Sequence, residues 1–318
     1  MNRKLAGFTC VIAMIGLGAV RAEAETIAVF TKSNSPIFAA MRAGAAVAAK
    51  SLGVQMVAYV PSTPDFQAEQ NRLVDDAIKD TLDAIVFVPV DYTKAGDAVA
   101  KINAAQIPLT NVNERLSGGN VVGYVGIDDV ALAAATGRYL INAMGGKGNV
   151  VILDGPDGNL TAQGRAKGFR DVIKDFPGVK LSAGKSANYV RATAKQVMGG
   201  FLGSYPQIDG VMAANDPMAI GTVDALNSYS RKSPVVGINA SREVMDLIKS
   251  GDVIGSGDYD SFAQGCLGVE MAVRNLRQQD TPKEVMIKPL VVDKSNYAPF
   301  DQAYENRPCP TLASVAGQ

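Results

Sequence analysis

Histidine is absent from all 318 residues, and so is tryptophan. Without an imidazole the chain has no Ser-His-Asp or Cys-His machinery and no histidine-based zinc site. Carboxylate or lysine chemistry survives that exclusion. Yet no motif sets a nucleophile or a metal beside Glu114 or Asp258, the carboxylates best placed to act as acid or base. No enzymatic activity, metal or cofactor is therefore expected. An excess of one charge is missing too: 31 basic residues face 31 acidic ones, which leaves nothing to hold nucleic acid or an anionic membrane surface.

Long apolar runs are scarce. The first, Leu5 to Val20, is short and glycine-rich for a membrane span. It follows Arg3 and Lys4 and precedes Ala22-Glu23-Ala24, a small-x-small pattern, so residues 1–24 read as a signal peptide cleaved before Glu25. Of the three cysteines, Cys10 lies inside that run. Cys266 and Cys309 remain, either to pair in an oxidising compartment or to stay a buried helix thiol and a tail thiol.

What the chain does contain is alternation. Ile27 to Phe30, Val54 to Val60, Ala84 to Val88, Ile107 to Val112 and Val121 to Val125 are predicted strands. Amphipathic stretches at Phe38 to Leu52, Asp65 to Lys79 and Lys94 to Ala104 separate them. A second run follows, with helices predicted at Val130 to Met144, Gln163 to Asp175, Arg191 to Leu202, Met218 to Leu226 and Glu243 to Lys249. Its strands are Val150 to Leu153, Val179 to Gly184, Gly210 to Ala214, Val235 to Ile238 and Val253 to Ser256. A last helix, Phe262 to Arg277, and a strand near Val285 to Leu290 come after it, then a Pro-rich polar tail from Asn296 that reads as a surface strap or a partly loose end. Repeated βα units with apolar strands imply an α/β fold of two similar lobes with parallel sheets covered on both faces.

In such sheets ligands bind beyond the carboxyl ends of the strands, and those positions here are polar or aromatic. Asn34, Ser35 and Phe38 follow the first strand; Ser35 also suits a helix cap before Pro36, and Phe38 also suits the core. Asn113-Glu114-Arg115, Asn188-Tyr189, Asn239 and Asp258-Tyr259-Asp260 end other strands. In Ala214-Asn215-Asp216-Pro217, Asp216 is the expected cap, which leaves Asn215 free for a ligand. Amides and carboxylates beside aromatic faces suit a hydroxyl-rich small molecule. By contrast, Asp154 to Asn159 lacks the spacing of a calcium loop and reads as a βα turn.

Several segments together resemble the periplasmic binding proteins of the ribose and galactose type, over about residues 26 to 292. Ala214-Asn215-Asp216-Pro217-Met218-Ala219-Ile220-Gly221 is similar to that family's A-x-N-D-x-M-A-x-G segment, and Gly164-Arg165-Ala166-Lys167-Gly168-Phe169 to its R-x-x-G-F helix start. Asn34 to Phe38 resembles N-N-P-F-F, and Val235 to Asn239 resembles V-V-G-F-D.

The resemblance implies two Rossmann-like lobes joined by a three-segment hinge, crossing near Gly126 to Asp128, Tyr259 to Ser261 and Pro289 to Val291. The first lobe would comprise residues 25–127 plus 260–289, the second 128–259 plus 290–318 with the tail. It implies a periplasmic monomer that clamps a sugar or polyol and docks, when closed, on the permease of an ABC importer. By position, Ser35, Phe38, Asn113 and Glu114 would contact ligand from the first lobe, Arg165, Tyr189, Asn215 and Asn239 from the second, and Tyr259 from the hinge. Asn113-Glu114 stands where ribose binders carry Asp-Arg, Asn239 where they carry Asp, and Tyr259 where they carry Gln, so the pattern points away from ribose toward a linear polyol or an unusual short sugar. A repressor's sensing domain shares the fold but would need a DNA-binding segment before the first strand. A chemoreceptor-linked sugar sensor is the alternative use of the same architecture, ahead of a secreted carbohydrate-active enzyme.

Overall fold

The computed structural model describes residues 24–316; the signal-peptide reading and Cys10 therefore fall outside the described residues, apart from Ala24. In chain order the elements are β1 (Thr26–Phe30), α1 (Pro36–Leu52), β2 (Gln55–Tyr59), α2 (Gln67–Lys79), β3 (Ala84–Phe87), α3 (Gly96–Ala104), β4 (Leu109–Val112) and β5 (Gly123–Ile127). There follow α4 (Asp129–Ala143), β6 (Gly148–Asp154), α5 (Leu160–Lys174), β7 (Val179–Ser186), α6 (Arg191–Ser204), β8 (Gly210–Ala213), α7 (Asp216–Ser228), β9 (Val235–Ile238) and α8 (Met245–Ser250). The chain ends with β10 (Gly255–Gly257), α9 (Ser261–Leu276), β11 (Glu284–Ile287), β12 (Val291–Val292) and α10 (Leu312–Ala316).

Strand β1 shows why these runs are apolar throughout. Ile27 and Val29 enter a core layer with Met41 and Ala45 of α1 and Leu267 and Met271 of α9. Ala28 and Phe30 enter the opposite layer with Val74 of α2 and Ile102 of α3. Strand β3 alternates the same way, Ala84 and Val86 to one side, Ile85 and Phe87 to the other. A sheet covered on both faces needs apolar residues at every position, not at every second one.

Six strands form each of two sheets, in the orders β2-β1-β3-β4-β5-β11 and β7-β6-β8-β9-β10-β12. The two lobes thus share one strand order. Every pairing is parallel except β12 on β10. The chain changes lobe at Asp128, between β5 and α4, and at Asp258 to Asp260, between β10 and α9. It changes again between β11 and β12, where a single strand was expected from Val285 to Leu290; Pro289 at the change has no amide to give either ladder.

Three local expectations are corrected. Helix α2 begins at Gln67, not Asp65, because Asp65 has φ 57, outside the right-handed helical region. Ser35 precedes α1, but its side chain makes no capping bond. Asn215 rather than Asp216 caps α7: its Oδ1 accepts from the Met218 amide at 3.0 Å.

The tail needs the larger correction. Tyr297 and Phe300 pack on the second lobe's core. Beyond them the chain returns to the first lobe. Tyr304 stacks on Phe262 of α9 at 5.8 Å, Leu312 is buried in the first lobe's core, and Cys309 is disulfide-bonded to Cys266 of α9, with Cα atoms 5.6 Å apart. The tail is a strap across both lobes because its apolar residues find open core edges on each.

Candidate functional site

Loops at the carboxyl ends of strands in both sheets wall one cavity of about 600 Å³. Ser35, Phe38, Asn113, Glu114, Arg165, Tyr189, Asn215, Asn239 and Tyr259 all line it. Backbone conformation there is unusual. Asn113 (φ 75), Tyr189 (φ 61), Asn239 (φ 133) and Asp260 (φ 43) occupy the left-handed region without being glycine. Such strain persists where the surroundings over-determine it, as at ligand sites.

On the first lobe, Asn111 in β4 shapes the loop that follows. Its Nδ2 donates to the Glu114 carbonyl and its Oδ1 accepts from the Leu116 amide, both at 2.9 Å. The Tyr124 hydroxyl donates to the Asn113 carbonyl at 2.6 Å. So held, Asn113 donates through Nδ2 to the Tyr259 hydroxyl at 3.0 Å, tying this loop to the hinge, while the Glu114 carboxylate meets Lys32 Nζ at 2.7 Å. Phe38 packs on the α1–α9 core with part of its ring at the cleft.

On the second lobe the organising group is Arg165, 2% exposed. Its Nε donates to Asp129 at 2.9 Å, and its Nη1 donates to the Ala214 carbonyl at 2.7 Å and to Asn239 Oδ1 at 3.2 Å. Its guanidinium lies 4.8 Å from the Tyr259 ring centre and 5.8 Å from that of Tyr189. The Tyr189 ring fits because residue 155 is glycine: a Cβ there would meet Tyr189 Cζ at 2.5 Å. Asn215 is not wholly free, since Nδ2 donates to the Tyr189 carbonyl at 3.2 Å while Oδ1 caps α7.

Burial raises the Asp129 carboxyl against the pull of Arg165. It pushes Tyr189 up to about 12 and Tyr259 upward as well, so both phenols stay neutral and serve as donors or acceptors. Asp258 is raised by burial and then by the charge of Asp260; its Oδ1 accepts from the Asp260 amide at 2.8 Å. Asp260 is paired with Arg307 of the strap at 2.9 Å.

Arg115 takes no part. It stacks over Tyr124 at 4.0 Å and pairs with Glu284 on the outside. Lys32, Phe300, Tyr304 and Arg307 escaped the sequence reading, although all four line the cleft itself. Lys32 lies two residues beyond β1 and had a signal, a cation in a loop already singled out. The strap residues had none, for no periodicity or motif marks them.

Four buried polar atoms around the cleft have no partner among the described residues: Arg165 Nη2, the Tyr189 hydroxyl, Ser241 Oγ and Ser261 Oγ. Buried polar groups are otherwise almost always paired. Donors and acceptors facing each other from two lobes, backed by tyrosine rings, make a site for a polyhydroxylated molecule. Residues 27–280 match the family described as "Periplasmic binding protein domain".

The chain belongs to that family. This periplasmic binding protein is 32% identical over 285 residues to the xylitol-binding protein of Mycolicibacterium smegmatis, an overlap of 88% of this chain and 81% of that one. It is 32% identical over 283 residues to the D-apiose import binding protein of Paraburkholderia graminis, covering 87% and 90%. Among solved structures, an ABC transporter periplasmic solute-binding protein from Actinobacillus succinogenes with bound D-allose matches with TM-score 0.82 at 29% identity, over 86% of this chain and 99% of that one.

Proposed function

We propose that this binding protein clamps a small neutral sugar or polyol between its lobes and delivers it to the permease of an ABC importer. It does so as a monomer in the periplasm, after residues 1–24 are removed. The nine cleft residues named from the sequence are its ligand contacts. The observation that carries the reading is the set of buried cleft atoms without a partner among the described residues, Arg165 Nη2, Tyr189 Oη, Ser241 Oγ and Ser261 Oγ. Ligand hydroxyls satisfy them, and the tyrosine rings cover the ligand's C–H surface. The names of the relatives, a xylitol binder and an apiose importer component, support a short or acyclic ligand. Binding rather than catalysis fits the carboxylates. Glu114 is committed to Lys32, Asp129 to Arg165 and Asp260 to Arg307, so none is held as a base beside a nucleophile.

A thermal-shift screen against pentoses, hexoses and four- to six-carbon alditols tests this. At a hundred times its dissociation constant the right ligand stabilises by about 2.7 kcal/mol, a rise of several degrees in Tm. The rise is expected to vanish in Arg165→Met. If no member of the panel moves the wild-type Tm, the sugar or polyol reading fails.

A further inference from the structure

Lys32 and Glu114 form a salt bridge in the cleft wall whose side chains are only 7% and 9% exposed. Lys32 lies two residues beyond β1 and Glu114 two beyond β4, with β3 between those strands, so the pair spans the mouth of the first sheet. Among the described residues neither head group has another side-chain partner. Both residues also line a neighbouring chamber of about 420 Å³, beside Gln67, Asp91 and Leu160. The pair thus stands where the main cleft meets that chamber, at one end of the site.

We propose that Lys32 and Glu114 determine specificity at this end of the site: they take a vicinal diol of a neutral ligand and reject sugar acids, sugar phosphates and amino sugars. The inference rests on the sugar or polyol reading above. An ammonium has three donors and a carboxylate about four acceptor sites, and their mutual bond uses one of each. The intact pair therefore presents a free donor and a free acceptor side by side, which adjacent hydroxyls, each both donor and acceptor, match without disturbing it. An anionic ligand end drawn to Lys32 must lie against Glu114, and a cationic end drawn to Glu114 must lie against Lys32. Either puts like charges together where water does not screen them. The opposite lobe offers no relief, because its buried cation Arg165 is already balanced by Asp129 at 2.9 Å. Both buried ion pairs facing the cleft are balanced in themselves, and the ligand end they favour is neutral.

The test is calorimetric titration of the purified protein with matched pairs, an alditol or aldose and its acid: erythritol with erythronate, xylitol with xylonate, glucitol with gluconate, glucose with glucuronate. Wild type is expected to bind the neutral member of its best pair at least a hundredfold tighter than the acid. Glu114→Gln leaves Lys32 unopposed and is expected to narrow that ratio at least tenfold, whereas Lys32→Met does not narrow it. The double variant Lys32→Met/Glu114→Gln carries no buried charge here. It is expected to fold and to lose at least tenfold in affinity for the neutral ligand. Neutral binding by wild type with an unchanged ratio in Glu114→Gln, or full affinity in the double variant, overturns the role of the pair. No neutral binding by wild type overturns the underlying reading as well.

Discussion

At Asn215 and Asp216 two adjacent side chains divide tasks that either could perform. Asn215 caps α7 and keeps part of its amide at the cleft. Asp216 is wholly buried one residue on, where Oδ1 accepts from the Ser256 hydroxyl at 2.6 Å and Oδ2 from the Ser241 amide at 2.7 Å. Burial pushes its carboxyl up to about 6, more than those hydrogen bonds and the charge of Arg165 pull it down. With the folded value above the unfolded one, near 3.9, the native state binds the extra proton between about pH 4 and 6. Stability from this group is therefore present below pH 4 and lost as pH rises through 6, on the order of 3 kcal/mol. Denaturant melts of wild type and Asp216→Asn at pH 4, 5, 6 and 7 isolate the effect: the wild type is expected to lose ground to the variant by about that amount across the window. A difference that does not change with pH excludes it. The motif around Ala214 named the right segment but not which of the two residues caps, because burial rather than intrinsic preference decides between Asn and Asp there.

Strands were legible wherever both faces are buried, because β1 and β3 are then apolar at every position. Helices were legible by their breaks: Gly53 ends α1 with φ 72, its amide reaching the carbonyls of Ala49 and Lys50. Strand pairing was not. Nothing local says that the apolar run from Val285 is cut in two and shared between sheets, or that Lys32 faces Glu114 across β3. That the tail is a strap was legible, but its anchoring points were least so, for its partners Asp260, Phe262 and Cys266 lie about forty residues earlier. Helices α1 and α9 beneath it approach closely; a Cβ on Gly265 would fall 1.9 Å from the Met41 carbonyl oxygen and one on Gly44 2.0 Å from that of Phe262. Onto this pair the disulfide anchors the strap, and Arg307 lies between Phe262 and Phe300 at 5.0 and 4.8 Å. The bridge closes a separation of 43 residues. Cys309→Ser is expected to cost roughly 2–4 kcal/mol in denaturant melts, with faster amide exchange confined to residues 301–316. An unchanged melt and unchanged exchange contradict an anchoring role.

Across the whole molecule the two sheets repeat one strand order, and the residues that matter come from the same ends of both. Neither lobe alone offers a complete set of partners. Arg165, Tyr189 and Ser241 lie on one side, Lys32, Asn113 and Glu114 on the other, with Tyr259 at the crossing between them. A ligand that engages both favours the closed arrangement by its differential affinity for it. The most direct measurement is hydrogen–deuterium exchange with and without the tightest ligand of the sugar and polyol panel. Slower exchange is expected in the loops of both lobes at once, around residues 32–38 and 113–115 in the first and 187–190, 214–217 and 239–243 in the second, together with the crossing at 258–260. Protection limited to one lobe, or absent from these loops, would contradict a ligand clamped between the two.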